Sequence, residues 1–208
     1  MREKMIFGSW DGRPLEWLVL DEDGESLTLW CCRSVADMRF AEGYSPFYAE
    51  SGVRRFLNDE FYAKAFSDEE KERILLSEID MSERQTYFGT VSYGLPLFRR
   101  EPLEERVYLL SVREMMSTYA LTPDELYQVG KGKIWTRSPE MQQTVSTVHI
   151  DDEILKGKSP YVTVTESYDY MSDTVKSSRS PNSVYPTAIR GVVPTVRIKK
   201  IAGSAGQS

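Results

Sequence analysis

Three times between residues 67 and 125, a hydroxyl residue precedes a glutamate by three positions: Ser67/Glu70, Ser111/Glu114 and Thr122/Glu125. This is the capping-box spacing. The hydroxyl accepts from the third backbone N–H of a helix, and the carboxylate reaches back to the N–H of the cap. The pattern predicts helices opening SDEEKERILLSEI and VREMMSTYA, the latter with Val112, Met115, Met116 and Tyr119 on one stripe. A third helix starts after Thr122, with Pro123 at its first position and Gly130 past its end. Upstream, SGVRRFLNDEFYAKAF sets Val53, Phe56, Leu57 and Phe61 at helical spacing.

On both sides of this helical middle the period changes to that of strands. Pro14 to Leu20 and Ser26 to Trp30 flank DEDGE, and Asp-Gly between apolar runs predicts a hairpin. Past residue 130, Ile134 to Thr136, Thr144 to Ile150 and Ile154 to Leu155 read as short strands, with Asp151-Asp152 as a turn. Gly191 to Ile198 reads as one closing strand, with Pro194 at an edge or bulge because it has no N–H to donate. Strands, then helices, then strands argue α+β: a mixed or antiparallel sheet with N- and C-terminal strands paired and two to four helices. A length of 208 residues suits one domain. Its expected parts are strands and a hairpin over 1–50, a helical segment over 51–130, and strands over 131–201. Residues 159–187 are dominated by Ser, Thr, Tyr, Asp and Asn and read as a long irregular loop. Tyr with Ser and Asn is the mixture that binding loops use.

The net charge of −6 is uneven, since no Asp or Glu follows Asp173. Nucleic acid binding would call for a basic domain or a dense basic stripe, and neither is present. No apolar run reaches the roughly 20 residues that cross a membrane. MREKMIFGSWDGRP has no apolar leader core, so the expected location is the cytoplasm. Cys31 and Cys32 are neighbours, which excludes a disulfide framework between distant segments and suits a reducing compartment.

Six stretches recur in an order that resembles an uncharacterised bacterial domain family: FGS at 7–9, PLEWLVL at 14–20, VRRFLNDEFYAKAFS at 53–67, VYLLSVRE at 107–114, WTRSP at 135–139 and GVVP at 191–194. Members of that family carry FGSYPQ, EWxVL, LRxWLNxxF, FLLSxxE, WWLRSPG and GVRP. The Trp-Arg strand end followed by a Gly-x-x-Pro strand is similar to C-type-lectin-like folds, which include the formylglycine-generating enzymes. The resemblance implies a framework role for Trp17, Trp135, Arg137, Ser138, Gly191 and Pro194. This chain departs from the pattern at Trp10-Asp11-Gly12, Ile134, Glu140 and Val193. It has no cysteine after Cys32, which argues against formylglycine-type chemistry.

Catalytic constellations are sparse. His149 is the single histidine, and GxSxG is absent. One histidine and two adjacent cysteines do not make a zinc set, and GKGK at 130–133 lacks the spacing of a phosphate loop. Asp151 and Asp152 are weak metal candidates, and no cofactor is expected. The expectation is therefore a non-catalytic recognition module for a protein or glycan, with no nucleic acid or membrane partner. Its candidate contacts are Tyr161, Tyr168, Tyr170, Tyr185 and Arg190. The alternatives are a hydrolase or metal-dependent enzyme using His149 with Asp151 and Asp152, and a scaffold protein of a mobile element.

Overall fold

The computed structural model describes residues 2–81, 101–140, 143–169 and 174–201. Its first turn is set by Asp11 and Gly12, both at positive φ (51° and 71°). Two left-handed residues match the twist of a two-residue hairpin, and they join β1 (Lys4–Trp10) to β2 (Arg13–Glu22). The expected DEDGE turn follows. The Asp23 carboxylate accepts from the N–H groups of Glu25 and Ser26 and from the Ser26 hydroxyl, and so starts β3 (Ser26–Cys31). A short β4 (Ala36–Arg39) comes next.

The predicted helix over SGVRRFLNDEFYAKAF forms at 52–65, capped by Ser51, with widened turns at Phe56–Phe61. Within the widened turns, the Asn58 side chain donates to the Val107 carbonyl and accepts from the Val107 N–H. The capping boxes at Ser67 and Thr122 are both formed, opening helices Asp68–Arg73 and Pro123–Tyr127. The first is shorter than its sequence suggests. Ile74 bridges Ile198, and the Leu75 N–H donates to the Arg197 carbonyl, so ILL leaves the helix for the sheet. β5 (Ser77–Ile79), β6 (Leu103–Glu105) and β7 (Val107–Tyr108) follow. The Ser111/Glu114 box opens only a brief, wide helix at Glu114–Thr118, ended by Ala120 at positive φ.

The second half holds β8 (Gly132–Glu140), β9 (Thr144–Ile150), β10 (Val162–Asp169), β11 (Thr174–Pro181), β12 (Ser183–Val184), β13 (Ile189–Val192) and β14 (Thr195–Lys199). One sheet runs β1-β2-β3-β14-β7 and is antiparallel throughout. A second five-stranded sheet runs β12-β9-β8-β13-β4 and is mixed, because β13 and β8 are parallel, and β5–β6 and β10–β11 form two-stranded sheets of their own. The α+β class holds, and the closing strand pairs with β3 of the N-terminal meander.

Three further expectations change. GVVPTVRI is two strands in two sheets, divided at Val193-Pro194, where a residue without an N–H breaks the ladder. Ile154 to Leu155 belongs to a 3-10 turn rather than a strand. The stretch 159–187 is not an irregular loop. β10 and β11 pair in register from Val162↔Pro181 to Asp169↔Thr174. Thr and Val alternating along β10 favour a pleated strand, and the hydroxyl-rich composition obscured that pattern.

The core gathers Trp17, Trp30, Trp135, Phe40, Tyr48 and Phe61. Two buried indoles donate to carbonyls, Trp17 to Phe7 at 2.6 Å and Trp135 to Met38 at 2.9 Å. Gly8 sits at φ +73°, where a Cβ would lie 2.6 Å from the Ala65 carbonyl oxygen and 2.7 Å from the Phe66 ring. Its N–H donates to Glu70, the acid of the Ser67 capping box.

Gly8→Ala therefore meets both backbone strain and a backbone collision, and should lose about 2 kcal/mol or more in urea unfolding. Gly43 has open space and no positive φ. Gly43→Ala should stay within about 0.5 kcal/mol of the parent.

Candidate functional site

WTRSP lies on β8, and its side chains turn inward. Thr136 Oγ1 donates to the Ser146 carbonyl at 2.8 Å and accepts from the Ser138 N–H. Ser138 Oγ accepts from the Val112 N–H at 2.9 Å. Arg137 is only 3% exposed. Its Nη1 donates to the Leu109 carbonyl at 2.8 Å, and its fork grips the Glu114 carboxylate, with Nη2 to Oε1 at 2.8 Å. Glu114 also accepts from the Ser111 N–H, so one carboxylate both caps a helix and neutralises a buried cation. Gly191 stands where a Cβ would lie 2.9 Å from Ser34 Oγ, which accepts from the Val192 N–H.

Some buried acids escaped sequence reasoning. Glu140 is buried and accepts from Ser146 Oγ at 3.1 Å. Burial raises its carboxyl above the ordinary range. Glu105 is buried beside Arg54, and desolvation outweighs that guanidinium, so its carboxyl is also raised. Glu105 lies on a three-residue strand among other acids, which hid it, and Glu140 stood out in the sequence only as a departure from the WTRSP pattern.

The four candidate tyrosines do not share one fate. Tyr161 packs against the core, and its buried hydroxyl has no hydrogen-bond partner among the described residues. Burial lifts its phenol well above the ordinary value. It is therefore not displayed. Tyr168 lies on β10 opposite Val175. Tyr170 falls outside the described residues. Tyr185 is 53% exposed and meets Tyr44, 62% exposed, edge-on with ring centres 6.0 Å apart. Tyr44 carried no signal in the sequence, since the contact joins residues far apart in the chain. Arg190 on β13 donates to the Ile189 carbonyl, and its Nε has no acceptor among the described residues.

His149 on β9 faces Lys133 across the ladder. Burial, then the nearby Lys133 and Arg190 cations, push its imidazole down to about 4, while Asp151 pulls weakly the other way. Asp151 accepts from the Glu153 N–H at 3.1 Å and faces Lys158 at 3.4 Å. Asp152 accepts from the Tyr127 hydroxyl at 2.6 Å and from Lys131 at 2.7 Å, which hold its carboxyl below the usual range. The two aspartates are thus committed to different partners. Among the described residues no three His, Cys, Asp or Glu side chains are grouped as a metal site would need. Burial raises the thiols of Cys31 and Cys32 to about 12 and about 11, so both stay protonated at neutral pH. No helix among the described residues is long and apolar enough to cross a membrane.

A family model described as a domain of unknown function (DUF6273) matches residues 16–168, and the chain belongs to that family. The match opens within EWLVL of β2 and closes on β10, so it includes WTRSP. No curated protein and no solved structure matches the chain.

Two outcomes follow. Arg137→Lys loses the planar fork and leaves buried acceptors unsatisfied, so denaturant unfolding should show a loss of about 2 kcal/mol or more. For His149 the folded state holds the imidazole below its ordinary pKa of about 6.5. Its neutral form therefore stabilises the fold above that pH, and the contribution fades as pH falls toward 4. His149→Gln should flatten the dependence of the urea midpoint on pH across that window.

Proposed function

We propose that the chain is a non-catalytic recognition module for a protein or glycan, built as one domain on a lectin-like α+β frame. The observation that carries this reading is the Tyr44–Tyr185 pair, two large rings more than half open to solvent yet held edge-on to each other. Rings fixed in this way offer rigid amphipathic contact area at little entropic cost, and a phenol edge can hydrogen-bond to sugar or peptide. Tyr185 follows directly on β12, at the foot of the β10–β11 ribbon, which would add contact area beside it. The inward commitments of Arg137, Ser138 and Thr136 support a scaffold that leaves recognition to its margins. The same reading puts the protein in the cytoplasm, where adjacent free thiols stay reduced.

A double Tyr44→Ala, Tyr185→Ala variant should lose binding on glycan and peptide arrays while its melting temperature changes little, since the ring pair is worth about 0.5–1.5 kcal/mol. Signals confined to one array would identify the ligand class. Retained binding, or a variant that fails to fold, would end the reading.

A further inference from the structure

Strand register brings three nitrogen-bearing side chains into one row on the mixed sheet. Lys133 on β8 is directly opposite His149 on β9. Gly191 on β13 is level with Ile134 on β8, so Arg190 is level with Lys133. Residues level across neighbouring strands project from the same face, and that face alternates along each strand. His149, Lys133 and Arg190 therefore stand side by side across three strands spaced about 4.8 Å apart. They lie on the face opposite Ile134. Lys133 is exposed, while His149 and Arg190 are half-buried, so the row is open to solvent.

The row is short of negative charge. Neither Lys133 nor Arg190 has a carboxylate within 4.0 Å among the described residues. Arg190 spends Nη1 on the neighbouring Ile189 carbonyl, and its Nε has no acceptor. Lys158 is a further cation near His149, and Asp151, its partner at 3.4 Å, is the acid that faces the imidazole. On the other side, Arg190 is paired with Met38, which carries no charge. Like charges held level on adjacent strands repel each other, and a chain with net charge −6 has ample acid elsewhere with which to neutralise them. A guanidinium, an ammonium and an imidazole on one face match a compact oxyanion of charge near two, which can accept from all three.

We propose that His149, Lys133 and Arg190 form a binding site for a phosphate group, either free or as a monoester. These residues are distinct from the tyrosine pair, so this site and the recognition reading stand or fall separately. Bound phosphate would offset the Lys133 and Arg190 charges that, after burial, hold the imidazole neutral, and so favour uptake of a proton from solvent.

The single histidine gives one imidazole C2–H NMR signal, which reports on this site alone. Inorganic phosphate, added at constant ionic strength, should shift that signal saturably and raise the imidazole pKa by about one unit. Lys133→Gln and Arg190→Gln should each weaken phosphate by about tenfold, with the amide spectrum unchanged. Glucose 6-phosphate binding more tightly than inorganic phosphate would assign a monoester, and equal binding would assign the free ion; either supports the site. A C2–H signal that does not respond to phosphate overturns the proposal. So does an equal response to acetate, or an undiminished response in the double variant.

Discussion

A guanidinium out of contact with water has to fill its donors from the protein, and Arg137 does so with the Leu109 carbonyl and the Glu114 carboxylate. That requirement fixes the approach of 109–114 to β8. Once the two are joined, Ser138 can receive the Val112 N–H. Glu114 then serves two masters, the cation and the Ser111 N–H, so the start of the short helix at Glu114–Thr118 is tied to the sheet. The stretch of sequence that most suggests a binding site is thus consumed in holding the mixed sheet to its neighbours.

Passage between the sheets is the second constraint. The chain crosses from β3 to β4 and again from β13 to β14, and the two crossings lie against each other. The Cys31 N–H donates to the Pro194 carbonyl, and the Val35 N–H donates to the Val192 carbonyl. Ser34 adds its hydroxyl to the Val192 N–H and to the Ala36 carbonyl. Gly191 leaves room for that hydroxyl. The same crossing lays β13 parallel to β8, which is how Arg190 comes to stand beside Lys133.

Local signals were legible wherever the chemistry is local. Capping at Ser67, Ser111 and Thr122 depends on residues three apart, and the DEDGE turn on neighbours; both could be read directly. Asp11-Gly12 carried an equally local turn signal, but it read first as a departure from a family motif. What could not be read depends on distant partners. Ile74 leaves its helix because Ile198 offers an edge, and Tyr161 turns inward because a core lies beneath it. Glu140 is buried against Ser146, and Tyr44 meets Tyr185 across most of the chain. The row of His149, Lys133 and Arg190 depends on a parallel pairing that no single strand announces.

The β10–β11 ribbon is fastened where it begins. Asn182 donates its side-chain amide to the Pro160 carbonyl and its N–H to the Tyr161 carbonyl, and its own carbonyl accepts from the Thr147 N–H. Matched lengthening by two residues on each arm would extend the reach of this ribbon and keep each side chain on its own face. A residue added to one arm alone would bulge it or slip its register, turning that arm's side chains beyond the insertion to the reverse side. Descent within the family therefore has an inexpensive way to change reach here and a costly way to change facing.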